Sequence, residues 1–332
     1  MIDKKYVLLQ SDFLKMKLFY SKILLFGEYG IIKNSKGLAI PYNFYKGTLK
    51  TLAEVEAESE QKREDAHKSN EALKAFASHL ETLTNEPSPI VRFNIEKLNA
   101  DIADGMYFDS SIPQGYGVGS SGALVAAIYS EYAMDPISAI DDLTREKLLQ
   151  LKAIFGRMES FFHGTSSGLD PLNSYLSLPI LINSYDNIEP TGIPTQTPDG
   201  KGAVFLLDSG IIGETAPMVH IFMENMKNEA FQKMLKEEFI KYTDACIDDF
   251  LKGRFKSLFG NIKSLSSIVL NHFKPMIPKE FHTLWKQGID TGDYFLKLCG
   301  SGGGGYILGF TEDLEKAKRT LAGHKLEVVY QF

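Results

Sequence analysis

Four glycines fall within eight residues of the segment Pro113-Gln-Gly115-Tyr-Gly117-Val-Gly119-Ser120-Ser121-Gly122-Ala123, and the apolar run ALVAAIYSEYAM follows at once. Glycines let the backbone curl and bring its N–H groups close to a ligand. A helix starting at the end of such a loop adds its free amides and the positive end of its dipole. Together these make an anion site suited to phosphate. Ser120 and Ser121 add hydroxyls that could reach phosphate or Mg²⁺. The plainer alternative is a Ser/Gly connector that caps a helix.

Several other motifs fit parts of the chain literally and fail on context. Gly117-x-Gly119-x-x-Gly122 satisfies GxGxxG, but SSIPQGY before it is no strand, as a dinucleotide fold would require. Gly300-x-Gly302-x-x-Gly305 satisfies it again, followed by a strand rather than a helix, and no HRD or DFG comes after it. GxxxxGK[ST] is absent. Gly164-Thr-Ser166-Ser-Gly168 reads as GxSxG, but a helix precedes it and a strand follows, the reverse of a hydrolase elbow. The run Lys297-Leu-Cys-Gly300-Ser-Gly-Gly-Gly-Gly305 has five glycines in six positions. A simple turn needs fewer; close packing of backbone against another loop or a substrate needs this many.

The 332 residues suit two domains, and 44% hydrophobic with 23% charged residues is the balance of a globular protein. Strands and helices alternate through both halves, which gives α/β or α+β. Ser184–Gly202, rich in Pro, Gly, Thr and Asp, reads as a linker, so the expected domains are 1–198 and 199–332. Expected elements include a strand–turn–strand over 19–40 and a long exposed helix, or helix plus linker, over 54–84. IVRFNIEKL and SYLSLPILI are expected as strands, 144–162 as a helix, 216–272 as largely helical and 325–332 as a last strand. A net charge of −6 argues against general nucleic-acid binding. MIDKKYVLLQSDF has no apolar leader and no apolar run approaches the roughly 20 residues of a membrane span, so cytoplasm is the expected location. Cys246 and Cys299 have no metal spacing and read as reduced thiols.

Chemistry-bearing groups cluster around the polar loop His163-Gly-Thr-Ser-Ser-Gly168-Leu-Asp170. Glu159 precedes His163 by four residues, on the same face of one helix. A kinase needs one carboxylate for metal and one near the acceptor hydroxyl, but the residues alone do not say which is which. Lys22 sits inside the apolar strand YSKILLF, where it must pair with an acid or a phosphate or lie at an edge facing water.

Three motifs in order then resemble those of the GHMP kinases: Ser21-Lys22-Ile-Leu-Leu-Phe-Gly27-Glu28-Tyr29, Pro113 to Ala123 (PxGxGLGSSAA in the family), and Lys297 to Gly305 (KLTGAGGGG). The segment Glu159-x-x-x-His163-Gly164-x-x-Ser167-Gly168-x-Asp170 is most similar to the mevalonate kinases, and Asp208 to Thr215 resembles the strand and loop whose threonine faces the site. The resemblance implies an α+β fold, with an N-terminal domain like domain 2 of ribosomal protein S5 and a C-terminal ferredoxin-like domain. It implies ATP and Mg²⁺ as cofactors and phosphorylation of the 5-hydroxyl of mevalonate. It places Pro113, Gly115, Gly117, Gly119, Ser120, Ser121 and Gly122 around the ATP phosphates, and Ser121 and Glu159 on Mg²⁺. Asp170 and Lys22 fall at the acceptor hydroxyl, Asp170 as base or as electrostatic orienter. Glu28, Tyr29, His163, Thr215, Gly302 and Gly303 fall around the substrate. No nucleic-acid or membrane partner is implied, and a homodimer is left open. The chain departs from the pattern at Tyr29, where mevalonate kinases often have His, at Gly122 and Ser301, where alanine is usual, and in FYSK for APGK. These departures bear on the acceptor, so another GHMP kinase, acting on phosphomevalonate or a sugar, is the alternative. A non-catalytic nucleotide-binding regulator on this fold is the other.

Overall fold

The computed structural model describes residues 17–55, 59–139 and 143–332; the expected lack of a leader concerns residues 1–13 and lies outside them. In chain order the elements are β1 (Phe19–Phe26), β2 (Gly37–Thr51), α1 (Glu60–Thr84), α2 (Ile95–Ala103), β3 (Met106–Ser110), α3 (Ser120–Tyr132), α4 (Arg145–His163), α5 (Leu169–Leu176), β4 (Ile180–Ser184) and β5 (Asn187–Pro190). There follow β6 (Ala203–Asp208), α6 (Thr215–Asn225), α7 (Glu229–Met234), α8 (Ile240–Leu251), α9 (Phe255–His272), α10 (His282–Thr291), β7 (Phe295–Leu298), β8 (Tyr306–Thr311), α11 (Leu314–Thr320) and β9 (Leu326–Gln331).

By compactness the chain forms two units that interleave in sequence. Of the described residues, one holds 17–21, 43–55, 59–112, 120–139 and 143–177, the other 22–42, 113–119 and 178–332. The stretch expected as a linker lies inside the second unit.

In the first unit, Gly47–Thr51 of β2 pairs antiparallel with β3. The helix α3 is apolar nearly all round, with Ala123, Val125, Ala126, Ala127, Ile128 and Tyr129 buried, the pattern of a helix surrounded by protein. The expected exposed helix, α1, instead buries one face through Ala66, Leu73, Phe76, Ala77, Leu80 and Leu83, at spacings of one, three, four and seven. The amide of Asn70 on that face donates to the carbonyls of Ile102 and Met106, at 2.9 and 2.6 Å. IVRFNIEKL is mostly not a strand: Phe93 makes a single bridge to Ala133, and α2 starts at Ile95. The Asn94 side chain caps that helix by accepting the Lys97 N–H, and Leu98 and Ile102 face inward one turn apart. In SYLSLPILI the first residues finish α5, Ser177 turns the chain at φ 52°, and only Ile180 onward is strand.

In the second unit, Gly37–Ala39 of β2 pairs with β4, which pairs with β5 inside the expected linker. A four-stranded sheet runs β7-β8-β6-β9, antiparallel throughout. With helices between β6 and β7 and α11 between β8 and β9, this is the ferredoxin-like order expected from sequence. The β6 residues Ala203 to Leu207 are all buried at its centre. Trp285 of α10 is fully buried, with its indole N–H on the Ser266 carbonyl of α9 at 3.1 Å. No helix among the described residues is long and apolar enough to cross a membrane.

Candidate functional site

In the first unit the site begins at the N-terminus of α3. Ser121, on its first turn, donates its hydroxyl proton to Oε1 of Glu159 at 2.9 Å. The same oxygen lies 3.1 Å from Nε2 of His163. Because its one proton is committed to Glu159, it accepts from Nε2–H. Glu159 and His163 are one turn apart on α4, as their spacing predicts, and Glu159 is buried. Its second oxygen takes a short hydrogen bond from the Ser166 hydroxyl.

Asp170 stands in the first turn of α5, where a carboxylate meets the positive end of the helix dipole. That turn presses on Gly122: a Cβ on Gly122 would lie 2.8 Å from the Asp170 carbonyl carbon and 2.8 Å from the Pro171 nitrogen. The glycine that replaces the usual alanine therefore lets the start of α5 approach the start of α3. Ser121, Glu159, His163 and Asp170 thus fall in one region of this unit. Ser121, Glu159 and Asp170 offer hard oxygens, with a hydroxyl beside a buried carboxylate at a helix N-terminus, which fits Mg²⁺. Among the described residues no group of three or more His, Cys, Asp or Glu could hold a metal. An ion here would draw most of its shell from phosphate and water, as Mg²⁺ at nucleotides does.

In the second unit the segment 113–119 turns through Gly115, Gly117 and Gly119, with φ of 76°, 77° and 81°. The Lys22 N–H donates to the Val118 carbonyl at 3.0 Å, which ties β1 to this turn. Lys22 is buried, and its methylene stem lies beside Gly119. The run 300–305 packs backbone against backbone: Gly305 N–H donates to Ile211 O at 2.6 Å, the following Tyr306 N–H donates to Tyr116 O at 3.3 Å, and beside them Gly213 N–H donates to Gly115 O at 2.9 Å. At Gly305, φ 69°, a Cβ would fall 2.5 Å from the Tyr116 Cα. Close backbone approach is what the glycine density predicts.

Glu28 and Tyr29, expected around the substrate, are turned into the protein. Glu28 is ion-paired with Lys297 of β7, both almost fully buried. Burial pushes its carboxyl above the usual carboxylate range and the Lys297 ammonium pulls it back. Tyr29 is buried, at φ 59°, its ring stacked on Phe222 at 4.7 Å and its hydroxyl donating to the Ser301 carbonyl at 2.6 Å. Burial, with Glu28 nearby, raises its phenol pKa. The Ser301 hydroxyl reaches Oγ1 of Thr215, the first residue of α6, at 3.3 Å. Gly302 and Gly303 have φ of 76° and 80°, and Gly303 N–H donates to Met276 O at 2.6 Å. Cys246 and Cys299 are buried and unpaired with each other, as expected.

Three residues of these clusters carry no role in the sequence reading: Ser166, Lys297 and Ser301. Lys297 had a signal, a lysine inside the apolar run FLKL. The reach of Ser166 to a helix residue seven positions back follows from no spacing rule.

Residues 72–177 match the family described as GHMP kinases N terminal domain. Among solved structures, mevalonate kinase of L. major in complex with R-mevalonate superposes with a TM-score of 0.61 at 15% identity, covering 95% of this chain and 96% of that one. The phosphomevalonate kinase of Streptococcus pneumoniae with phosphomevalonate and AMPPNP gives 0.60 at 11% identity, covering 95% and 99%. The galactokinase of Lactococcus lactis with galactose gives 0.60 at 12%, covering 99% and 98%. No protein of curated function matches the chain by sequence. At these identities the likeness speaks for the fold. The chain therefore has the fold of these kinases, and its residues 72–177 match the GHMP kinases N terminal domain family.

Proposed function

We propose that this protein is an ATP- and Mg²⁺-dependent small-molecule kinase that phosphorylates the 5-hydroxyl of mevalonate. The observation that carries the reading is the hydrogen bond from Ser121, on the first turn of α3, to the buried carboxylate of Glu159. A hydroxyl and a carboxylate held together at a helix N-terminus after a glycine turn are the parts a metal–nucleotide site needs. The segment from Glu159 to Asp170 supports mevalonate as acceptor through its resemblance to mevalonate kinases.

Phosphoryl transfer depends mainly on positioning and charge stabilisation. Ser121 and Glu159 would hold Mg²⁺, which when bound neutralises charge on the β- and γ-phosphates. The amides of 115–122 bind the phosphate oxygens. The acceptor oxygen bonds to the γ-phosphorus as the bond to the bridging oxygen breaks and ADP leaves. Asp170 orients the hydroxyl or takes its proton, and the Lys22 ammonium stabilises negative charge on the acceptor oxygen. Glu28 and Tyr29 serve indirectly, by fixing the chain next to Lys297 and Ser301.

ADP release, measured with ATP and Mg²⁺ against mevalonate, phosphomevalonate, galactose, homoserine and no acceptor, tests this. Release with mevalonate alone is expected. Release with another acceptor keeps the kinase and moves the substrate, and release with none removes the reading.

A further inference from the structure

We propose that Ser166 is a positioning residue that aims the Glu159 carboxylate at the metal, a role that rests on the assignment of Glu159 to Mg²⁺ above. Glu159 is 4% exposed, so its oxygens depend on protein donors. Ser121 occupies Oε1 and Ser166 occupies Oε2. The two hydroxyls arrive from different elements, the start of α3 and the loop after α4. Between them they fix the rotation of the carboxylate about its last bond.

Ser166 is itself held firmly. Its oxygen accepts the Gly168 N–H at 3.0 Å, so its single proton is directed to Glu159. The loop on either side lies on the backbone of α4. A Cβ on Gly168, at φ 72°, would fall 2.0 Å from the Lys152 carbonyl oxygen, and one on Gly156 would fall 3.1 Å from the Ser166 carbonyl oxygen. The donor is therefore pre-placed and costs little ordering when a ligand arrives.

The arrangement divides labour between the two serines. Ser121 and Oε1 are the pair that a cation would separate, each then offering an oxygen to it. The Ser166 bond to Oε2 can persist through that change, and it keeps the carboxylate from turning away. Partners that orient a metal ligand in this way typically alter metal affinity by about 10–100-fold. Ser166 is not one of the fixed positions of the E-x-x-x-HG-x-x-SG-x-D segment. The competing view is that Ser166 only shapes the turn through Gly168.

The test is Mn²⁺ binding to the full chain with a non-hydrolysable ATP analogue, followed by electron paramagnetic resonance, for the parent protein and for Ser166→Ala, Ser166→Thr and Glu159→Gln. The proposal expects Ser166→Ala to weaken Mn²⁺ binding about 10-fold, with metal-free nucleotide binding unchanged, and Ser166→Thr, which keeps the hydroxyl, to restore it. The double variant Ser166→Ala/Glu159→Gln should bind Mn²⁺ no more weakly than Glu159→Gln alone. Unchanged Mn²⁺ affinity in Ser166→Ala, with Glu159→Gln clearly weakened, overturns the role of Ser166 and leaves Glu159 on the metal. Unchanged affinity in Glu159→Gln overturns the underlying assignment. If Ser166→Ala does not fold, Ser166→Thr decides with Ser166→Cys, which keeps the size but donates weakly: equal Mn²⁺ affinities in these two contradict the proposal.

Discussion

Glu28 and Lys297 form an ion pair that is almost closed to solvent, joining the end of β1 to β7 across 269 positions of sequence. The ammonium also donates to the Leu298 carbonyl at 2.7 Å, two residues before the glycine-rich turn begins at Gly300. Removing one partner strands a buried charge, whereas removing both does not. Lys297→Met is therefore expected to cost about 3–5 kcal/mol, and Glu28→Gln/Lys297→Met clearly less than the sum of the single changes. Urea denaturation of the four proteins checks this, and additive losses would contradict it.

Gly122→Ala restores the residue usual in the family and is nonetheless expected to harm this protein. The added methyl meets backbone at 2.8 Å, which cannot swing aside as a side chain could. A loss of about 1–3 kcal/mol follows from overpacking, with a fall in turnover because α3 and α5 carry Ser121 and Asp170. Thermal unfolding and ADP release report the two effects. A neutral Gly122→Ala would mean that the helices separate freely.

Tyr29→Phe keeps the stack on Phe222 and removes only the bond to the Ser301 carbonyl. A neutral hydrogen bond lost in this way costs about 1 kcal/mol. The sharper expectation is faster amide exchange in residues 300–305, read by mass spectrometry. Unchanged exchange there would show that the phenol does not restrain the loop.

Asp170→Asn removes the charge and the proton-accepting ability while conserving size. Turnover is expected to fall about 10²-fold or more, with nucleotide binding largely retained. Near-parent turnover would remove Asp170 from the chemistry.

What the sequence made legible was whatever is local or repeated. The glycine turns, the start of α3, the one-turn spacing of Glu159 and His163, and the strand pair around the second glycine run all read from neighbouring residues. The fold class and the order of the C-terminal sheet followed from the motifs. IVRFNIEKL misled because its apolar residues alternate at first, while the Asn94 cap and the helical spacing of Leu98 and Ile102 decide the outcome. The packing of Tyr29 was not legible: its place in a substrate-side motif says nothing of where its ring packs, and that depends on Phe222, nearly 200 residues later. Lys297 and Ser166 stayed without roles for the same reason, since their partners are chosen by tertiary packing.

The most direct test follows the phosphorus atoms themselves, by phosphorus NMR of the protein with ATP, Mg²⁺ and mevalonate. The account predicts that the γ-phosphate signal of ATP declines in step with a new phosphomonoester signal coupled to methylene protons, as ADP appears. ATP left intact, or converted only to inorganic phosphate, would contradict it.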